Sequence, residues 1–203
     1  MLKITQSLIS SWDRAFSARD EVREECWKDF LDTLHRVPRP ETDAQRDGKI
    51  FEAGVYAMAD GKPYSLPPKM EQGARKVAEI VKGGSFQLPL YRAFKVGEHD
   101  VTLVGVPDVV KAGVIYDVKY RTKGFGTGDV AGKWLGASQH SAYFFLMPEA
   151  YEFNYLCSDG ADLYTERYLP RSVMPFEQIA AEFIGSLISI GLFEDYKRYW
   201  RLL

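Results

Sequence analysis

Apolar residues recur at helical spacing over residues 7–34: Leu8, Ile9, Trp12 and Phe16, then Trp27, Phe30, Leu31 and Leu34, until Pro38 and Pro40 break the pattern. This predicts a helical N-terminal region. Asp47-Gly48 opens a second segment, residues 49–59, stopped by Asp60-Gly61 and Pro63, with Gly61 placed to cap it. Residues 71–81 form a third, with Ala74, Val77, Ala78 and Val81 on one side and Gly83-Gly84 at its end. The period then shortens. Residues 86–96, 101–110 and 114–120 are rich in β-branched and aromatic residues and are separated by Gly97-Glu98 and Ala112-Gly113, predicting three consecutive strands. A glycine-rich loop, residues 123–132, leads to a helix over 134–147 that Pro148 ends. Residues 151–156 and 163–169 read as two further strands. Residues 175–200 read as helix, with Phe176, Ile179, Ala180, Phe183, Leu187 and Ile190 forming its apolar stripe. The expected architecture is α/β, a central mixed sheet flanked by helices in one domain: a helical part (1–84), a sheet with its helix (85–170) and C-terminal helices (171–203).

Composition narrows the classes. At 203 residues and 46% apolar, the chain can bury a core and is not a disordered polymer. No run approaches the roughly 18–20 apolar residues of a membrane span, and Met1-Leu2-Lys3-Ile4-Thr5 has no leader-like apolar stretch, so a cytoplasmic protein without membrane contact is expected. Cys26 and Cys157 are too few for a zinc or iron–sulfur cage and are expected as buried small hydrophobes. A net charge of −2 means that any nucleic-acid contact must come from a local basic surface.

The chemistry concentrates in Gly105-Val106-Pro107-Asp108 and Ile115-Tyr116-Asp117-Val118-Lys119. Strand alternation puts Asp117 and Lys119 on one face and turns Val118 into the core. If Ala112-Gly113 is a two-residue hairpin turn, Lys111 pairs with Val114 and Asp108 lies opposite Asp117; a three-residue turn would separate them. Pro107 cannot donate to a ladder, so the strand should bend there. Two close carboxylates repel unless a cation sits between them, and a hard divalent ion suits oxygen ligands. Magnesium, with manganese as a substitute, is the expected cofactor. From spacing alone an inter-strand surface ion pair accounts for these residues about as well.

Pro107-Asp108, eight intervening residues and Asp117-Val118-Lys119 resemble the signature of the PD-(D/E)xK nucleases. Gln139-His140-Ser141-Ala142-Tyr143 on the following helix is similar to the QxxxY motif of the RecB-like exonuclease branch, and its Gln139 and Tyr143 share one helix face. Gly48-Lys49-Ile50-Phe51-Glu52 resembles the first motif of that branch, with Glu52 where many members carry histidine, and Ile4-Thr5-Gln6-Ser7-Leu8 resembles its N-terminal entry. The resemblance implies a restriction-endonuclease-like core, catalysis by Asp108, Asp117 and Lys119, and a metal held by Glu52, Asp108, Asp117 and the Val118 carbonyl. It implies that Gln139 and Tyr143 position the DNA strand and the lysine. The flanking cysteines of iron–sulfur members are absent, so no cluster is implied. The biology it carries is that of a stand-alone DNA exonuclease of recombination or repair, of phage type, acting with a single-strand annealing protein and able to form a homo-oligomer. A structure-specific endonuclease and an inactive DNA- or protein-binding module are the alternatives.

Other signals are weaker. The loop through Gly124, Gly126, Gly128 and Gly132 fits neither a Walker A sequence nor GxGxxG. Arg121, Lys123 and Lys133 follow the catalytic strand where phosphate contacts would be useful, Arg121 foremost. Lys197-Arg198-Tyr199-Trp200-Arg201 mixes cations with aromatics, suiting nucleic acid, a partner subunit or the end of its own helix. His35, His99 and His140 have no partners at metal-ligand spacing.

Overall fold

The computed structural model describes residues 1–125 and 131–202. A short strand, β1 (Leu2–Thr5), precedes the first helix, and the N-terminal helical stretch divides into α1 (Gln6–Ser17) and α2 (Arg23–Leu34) around one 3-10 turn. Thr5 caps α1 by accepting from Leu8 N–H. α3 (Asp43–Ala59) starts a turn earlier than Asp47-Gly48 suggests, because Thr42 and Gln45 form a reciprocal capping box. That box satisfies two N-terminal donors and carries the helix through Gly48, whose cost in a helix is about 1 kcal/mol. α4 (Pro68–Val81) begins with proline in its first turn, where the missing N–H costs nothing.

The strands are β2 (Ser85–Phe86), β3 (Leu90–Val96), β4 (His99–Gly105), β5 (Val109–Lys111) and β6 (Val114–Tyr120). After them come α5 (Ser138–Leu146), β7 (Glu152–Ser158), β8 (Leu163–Tyr168), α6 (Phe176–Ser189) and α7 (Phe193–Tyr199). The expected single sheet is two. One has the order β1-β4-β3, the other β2-β5-β6-β7-β8. Two strands read as continuous divide to make this possible, at residues 87–89 and at Val106-Pro107-Asp108. Pro107 offers no N–H and disfavours helical backbone before it, so the chain leaves the first sheet after Gly105 and enters the second at Val109. The larger sheet is mixed: β6 and β7 run parallel, the other pairs antiparallel.

Three layers follow from the strand alternation. Val109, Val118 and Leu156 face α3 and α4, packing with Phe51, Val55 and Val77. Ile115, Phe153 and Tyr155 face the other way, onto Tyr143 and Phe144 of α5. The remaining side of α5 meets the smaller sheet, α1 and α6, where Ala142 and Phe145 join Leu8, Leu103, Phe176 and Phe183. α5 is therefore buried nearly all round and lies between the two sheets; it is shorter than expected because residues 132–136 form turns. β4 approaches it so closely that a Cβ on Gly105 would stand 3.0 Å from Tyr143 Cε1. The C-terminal stretch bends by 115° between α6 and α7, leaving Ile190 past the end of α6 and 40% exposed. Cys157 is buried as expected, whereas Cys26 is only half-buried. Among the described residues no single helix is long and apolar enough to cross a membrane.

Ala112 and Gly113 have φ of 49° and 78°, the two left-handed residues of a type I′ hairpin turn. Lys111 pairs with Val114 and Val109 with Tyr116, the register that the two-residue turn requires. A Cβ on Gly113 would also lie 2.8 Å from the Tyr151 ring. Gly113→Val should therefore lower unfolding free energy in urea by about 2 kcal/mol through strain at this turn. An unchanged midpoint would show that the turn does not hold the hairpin.

Candidate active site

β6 presents Asp117 and Lys119 on its α5 face. Asp117 is 3% exposed; its Oδ1 accepts from Gln139 Nε2 at 2.5 Å, and its Oδ2 lies 2.6 Å from Lys119 Nζ in a charge contact without a well-directed hydrogen bond. Lys119 keeps 36% of its side chain exposed. Burial pulls the Lys119 pKa down, but the Asp117, Asp108 and Glu52 charges outweigh it and raise it above the ordinary lysine value.

β5 begins at Val109, so beyond Tyr116 that edge of β6 has no strand partner among the described residues. Asp108 takes its place: Oδ2 accepts from Val118 N–H at 2.8 Å. A strand residue directs its N–H and C=O to the same edge, so the Val118 carbonyl also leaves β6 on the Asp108 side. Burial, then Asp117, then Glu52 push the Asp108 carboxyl up to about 8, against the opposing influence of Lys119 and the Val118 N–H.

Glu52 reaches this group from the opposite layer, on α3. Its Oε1 accepts from Tyr56 Oη at 2.5 Å and from Gln87 Nε2 at 2.8 Å. Gln87 Nε2 also lies 2.9 Å from Tyr56 Oη and 3.4 Å from Asp108 Oδ1. Tyr56 is four residues after Glu52, a helix-face pair legible in sequence. Gln87 carried no such signal. It lies in a stretch read as strand, yet its φ is 51°.

Gln139 and Tyr143 share a face of α5 and act on the two halves of the site. Gln139 holds Asp117, while Tyr143 Oη donates to the Val106 carbonyl at 2.8 Å and so fixes the linker that carries Asp108. Burial, then the Asp117 and Asp108 charges, raise the Tyr143 pKa, so the hydroxyl stays a donor. Arg121 follows β6 on the Asp117–Lys119 side; its backbone N donates to Ser158 O, and its Nη1 is buried without a hydrogen-bond partner among the described residues. Lys133 lies 5.6 Å over the Trp134 ring, and Trp134 stacks on Tyr155. Residues 126–130 of the glycine-rich loop lie outside the described residues. His140 is buried against Tyr168, away from the carboxylates' hydrogen bonds, and burial pushes its pKa down to about 4. At the C-terminus Lys197 pairs with Glu194, and Trp200 is buried beneath Arg36, so Trp200 is a core residue rather than an exposed aromatic. A cavity of about 660 Å³ beside Met1, His99 and Arg198 shares no residue with the carboxylates.

The donor chemistry fits a hard divalent cation: among the described residues three carboxylates act on one another and one lysine opposes them. The spacing is not that of a closed ligand cage. Among the described residues no three His, Cys, Asp or Glu side chains stand close enough to share one ion. The Gln87 amide spans Glu52 and Asp108, while Gln139 and Lys119 engage Asp117.

The raised Asp108 pKa has a defined consequence for stability. An unfolded aspartate titrates near ~3.9; between that value and about 8 the folded protein binds the extra proton, so the contribution of Asp108 is full below the unfolded value and is lost progressively as the pH rises to about 8. Thermal melts in EDTA should show this decline in the wild type and a shallower one in Asp108→Asn. Equal slopes would contradict the strained carboxyl.

No family model matches the chain. Its fold is shared with the crystal structure of SSO0001, with a TM-score of 0.55 and 12% identity over 94% of this chain and 77% of that one. It is also shared with LHK-Exo in complex with dAMP, with a TM-score of 0.51 and 11% identity over 97% of this chain and 92% of that one. The mixed sheets flanked by helices make this a restriction-endonuclease-like fold.

Proposed function

We propose that this protein is a metal-dependent deoxyribonuclease, an exonuclease that hydrolyses DNA phosphodiester bonds in recombination or repair. The observation that carries this reading is the junction at the open edge of β6, where Asp108 accepts from Val118 N–H beside the buried Asp117 and its partly exposed partner Lys119. The fold shared with LHK-Exo, whose structure is a complex with dAMP, supports it.

Asp108, Asp117, the Val118 carbonyl and Glu52 would hold magnesium or manganese. Such a cation, when bound, supplies charge at the phosphate oxygens and lowers the pKa of a coordinated water. The protein's own groups do the rest. Lys119, with its pKa raised, remains an ammonium and serves as a fixed cation for the developing phosphate charge rather than as a base. Gln139 and Tyr143 hold Asp117 and the Asp108 linker in register. Arg121, which follows β6 beyond Lys119, would offer its guanidinium to a strand phosphate. The family resemblance extends the proposal to a single-strand annealing partner and a homo-oligomer.

The test uses end-labelled linear DNA and covalently closed circular DNA, with magnesium or EDTA. The reading requires magnesium-dependent loss of the linear form only. Lys119→Ala and Asp117→Asn should each slow it by about a hundredfold or more while keeping a cooperative melt. Nicking of the circle would instead make the enzyme an endonuclease. No cleavage of either form by folded protein would leave a binding module.

A further inference from the structure

Gln87 has no role in the chemistry above, yet its amide nitrogen lies between the Glu52 and Asp108 carboxylates. The residue is tied to Asp108 a second time, by its backbone N–H donating to the Asp108 carbonyl at 3.1 Å. Its φ of 51° places a side chain in the left-handed region, at a cost of about 1–3 kcal/mol. The surrounding bonds hold it there.

A neutral amide is a poor substitute for a cation. Its two hydrogens face two carboxylates and a phenol oxygen, and they bring no net charge to the gap they fill. An amide also has a carbonyl at its other end, the oxygen type that hard divalent ions accept. Gln87 Oε1 has no hydrogen-bond partner among the described residues, and the terminal torsion of glutamine is broad and nearly two-fold, so the ends exchange by rotation alone. Arginine or lysine here would exclude a cation, and glutamate would add a fourth carboxylate to the cation-free cluster.

We propose that Gln87 is the interchangeable member of the cation site: its amide N–H₂ bridges Glu52 and Asp108 when no cation is bound, and turns over to present Oε1 as an oxygen ligand when one binds. This rests on the metal-dependent reading given above. It accounts for the missing three-carboxylate cage, since the gap between Glu52 and Asp108 is filled by a donor that must leave before a cation enters.

The test measures Mn²⁺ binding to the intact chain by electron paramagnetic resonance, with thermal melts in EDTA, for the wild type, Gln87→Met and Gln87→Glu. Gln87 is exposed, so neither substitution disturbs the core. Gln87→Met should weaken Mn²⁺ binding about tenfold and lower the melting temperature in EDTA. Gln87→Glu should melt lower still in EDTA yet bind Mn²⁺ at least as tightly as the wild type. A methionine variant that binds Mn²⁺ as well as the wild type overturns the role of Gln87 and leaves the nuclease reading standing. A wild type that takes up no Mn²⁺ at millimolar concentration overturns both.

Discussion

Pro107 has no N–H to give a neighbouring strand, and the rest of the site depends on that missing donor. With the ladder interrupted there, one run of extended chain serves two sheets: β4 ends at Gly105 and β5 begins at Val109. The three-residue step between them frees Asp108 from strand pairing and lets its carboxylate take Val118 N–H. Were the strand continuous, Asp108 would sit in a regular ladder opposite Asp117 with its backbone committed to β6. Tyr143 stabilises the step by donating to the Val106 carbonyl, and the absence of a side chain on Gly105 lets α5 come close enough to do so.

The second constraint is electrostatic. Three acids from two layers meet at the edge of one sheet: Asp117 from the α5 face, Glu52 from the α3 face, and Asp108 between them. Their mutual repulsion is relieved by a lysine, two amide side chains and a backbone N–H. None of the amides carries charge, so the relief is partial; burial first, and then the Asp117 and Glu52 charges, push the Asp108 carboxyl up to about 8. A site under this tension gains most from a cation, and binding should release a proton below that pH.

Much of this was legible in the residues because it rests on short-range rules. Alternation along β6 separates Val118 from Asp117 and Lys119, and Ala112-Gly113 specifies a two-residue turn and its register. Helical spacing places Gln139 beside Tyr143. The division into two sheets was not legible, because periodicity shows that a segment is extended and not which neighbour it joins; Pro107 marks the bend but not its destination. The early start of α3 depends on a capping box within a polar stretch that apolar periodicity passes over. Gln87 escaped notice because neither its left-handed backbone nor its approach to Glu52, 35 residues away, has a local signature. Trp200 looked like an aromatic among surface cations, whereas its ring nitrogen donates to the Leu34 carbonyl inside the core.

The most direct test of the account is to locate the cation itself. Crystals of the intact chain soaked in Mn²⁺ should give an anomalous-scattering peak at coordination distance from the Asp108 and Asp117 carboxylates and the Val118 carbonyl. A well-ordered site without such a peak, or with manganese bound only elsewhere, would contradict a metal-dependent nuclease centre at the edge of β6.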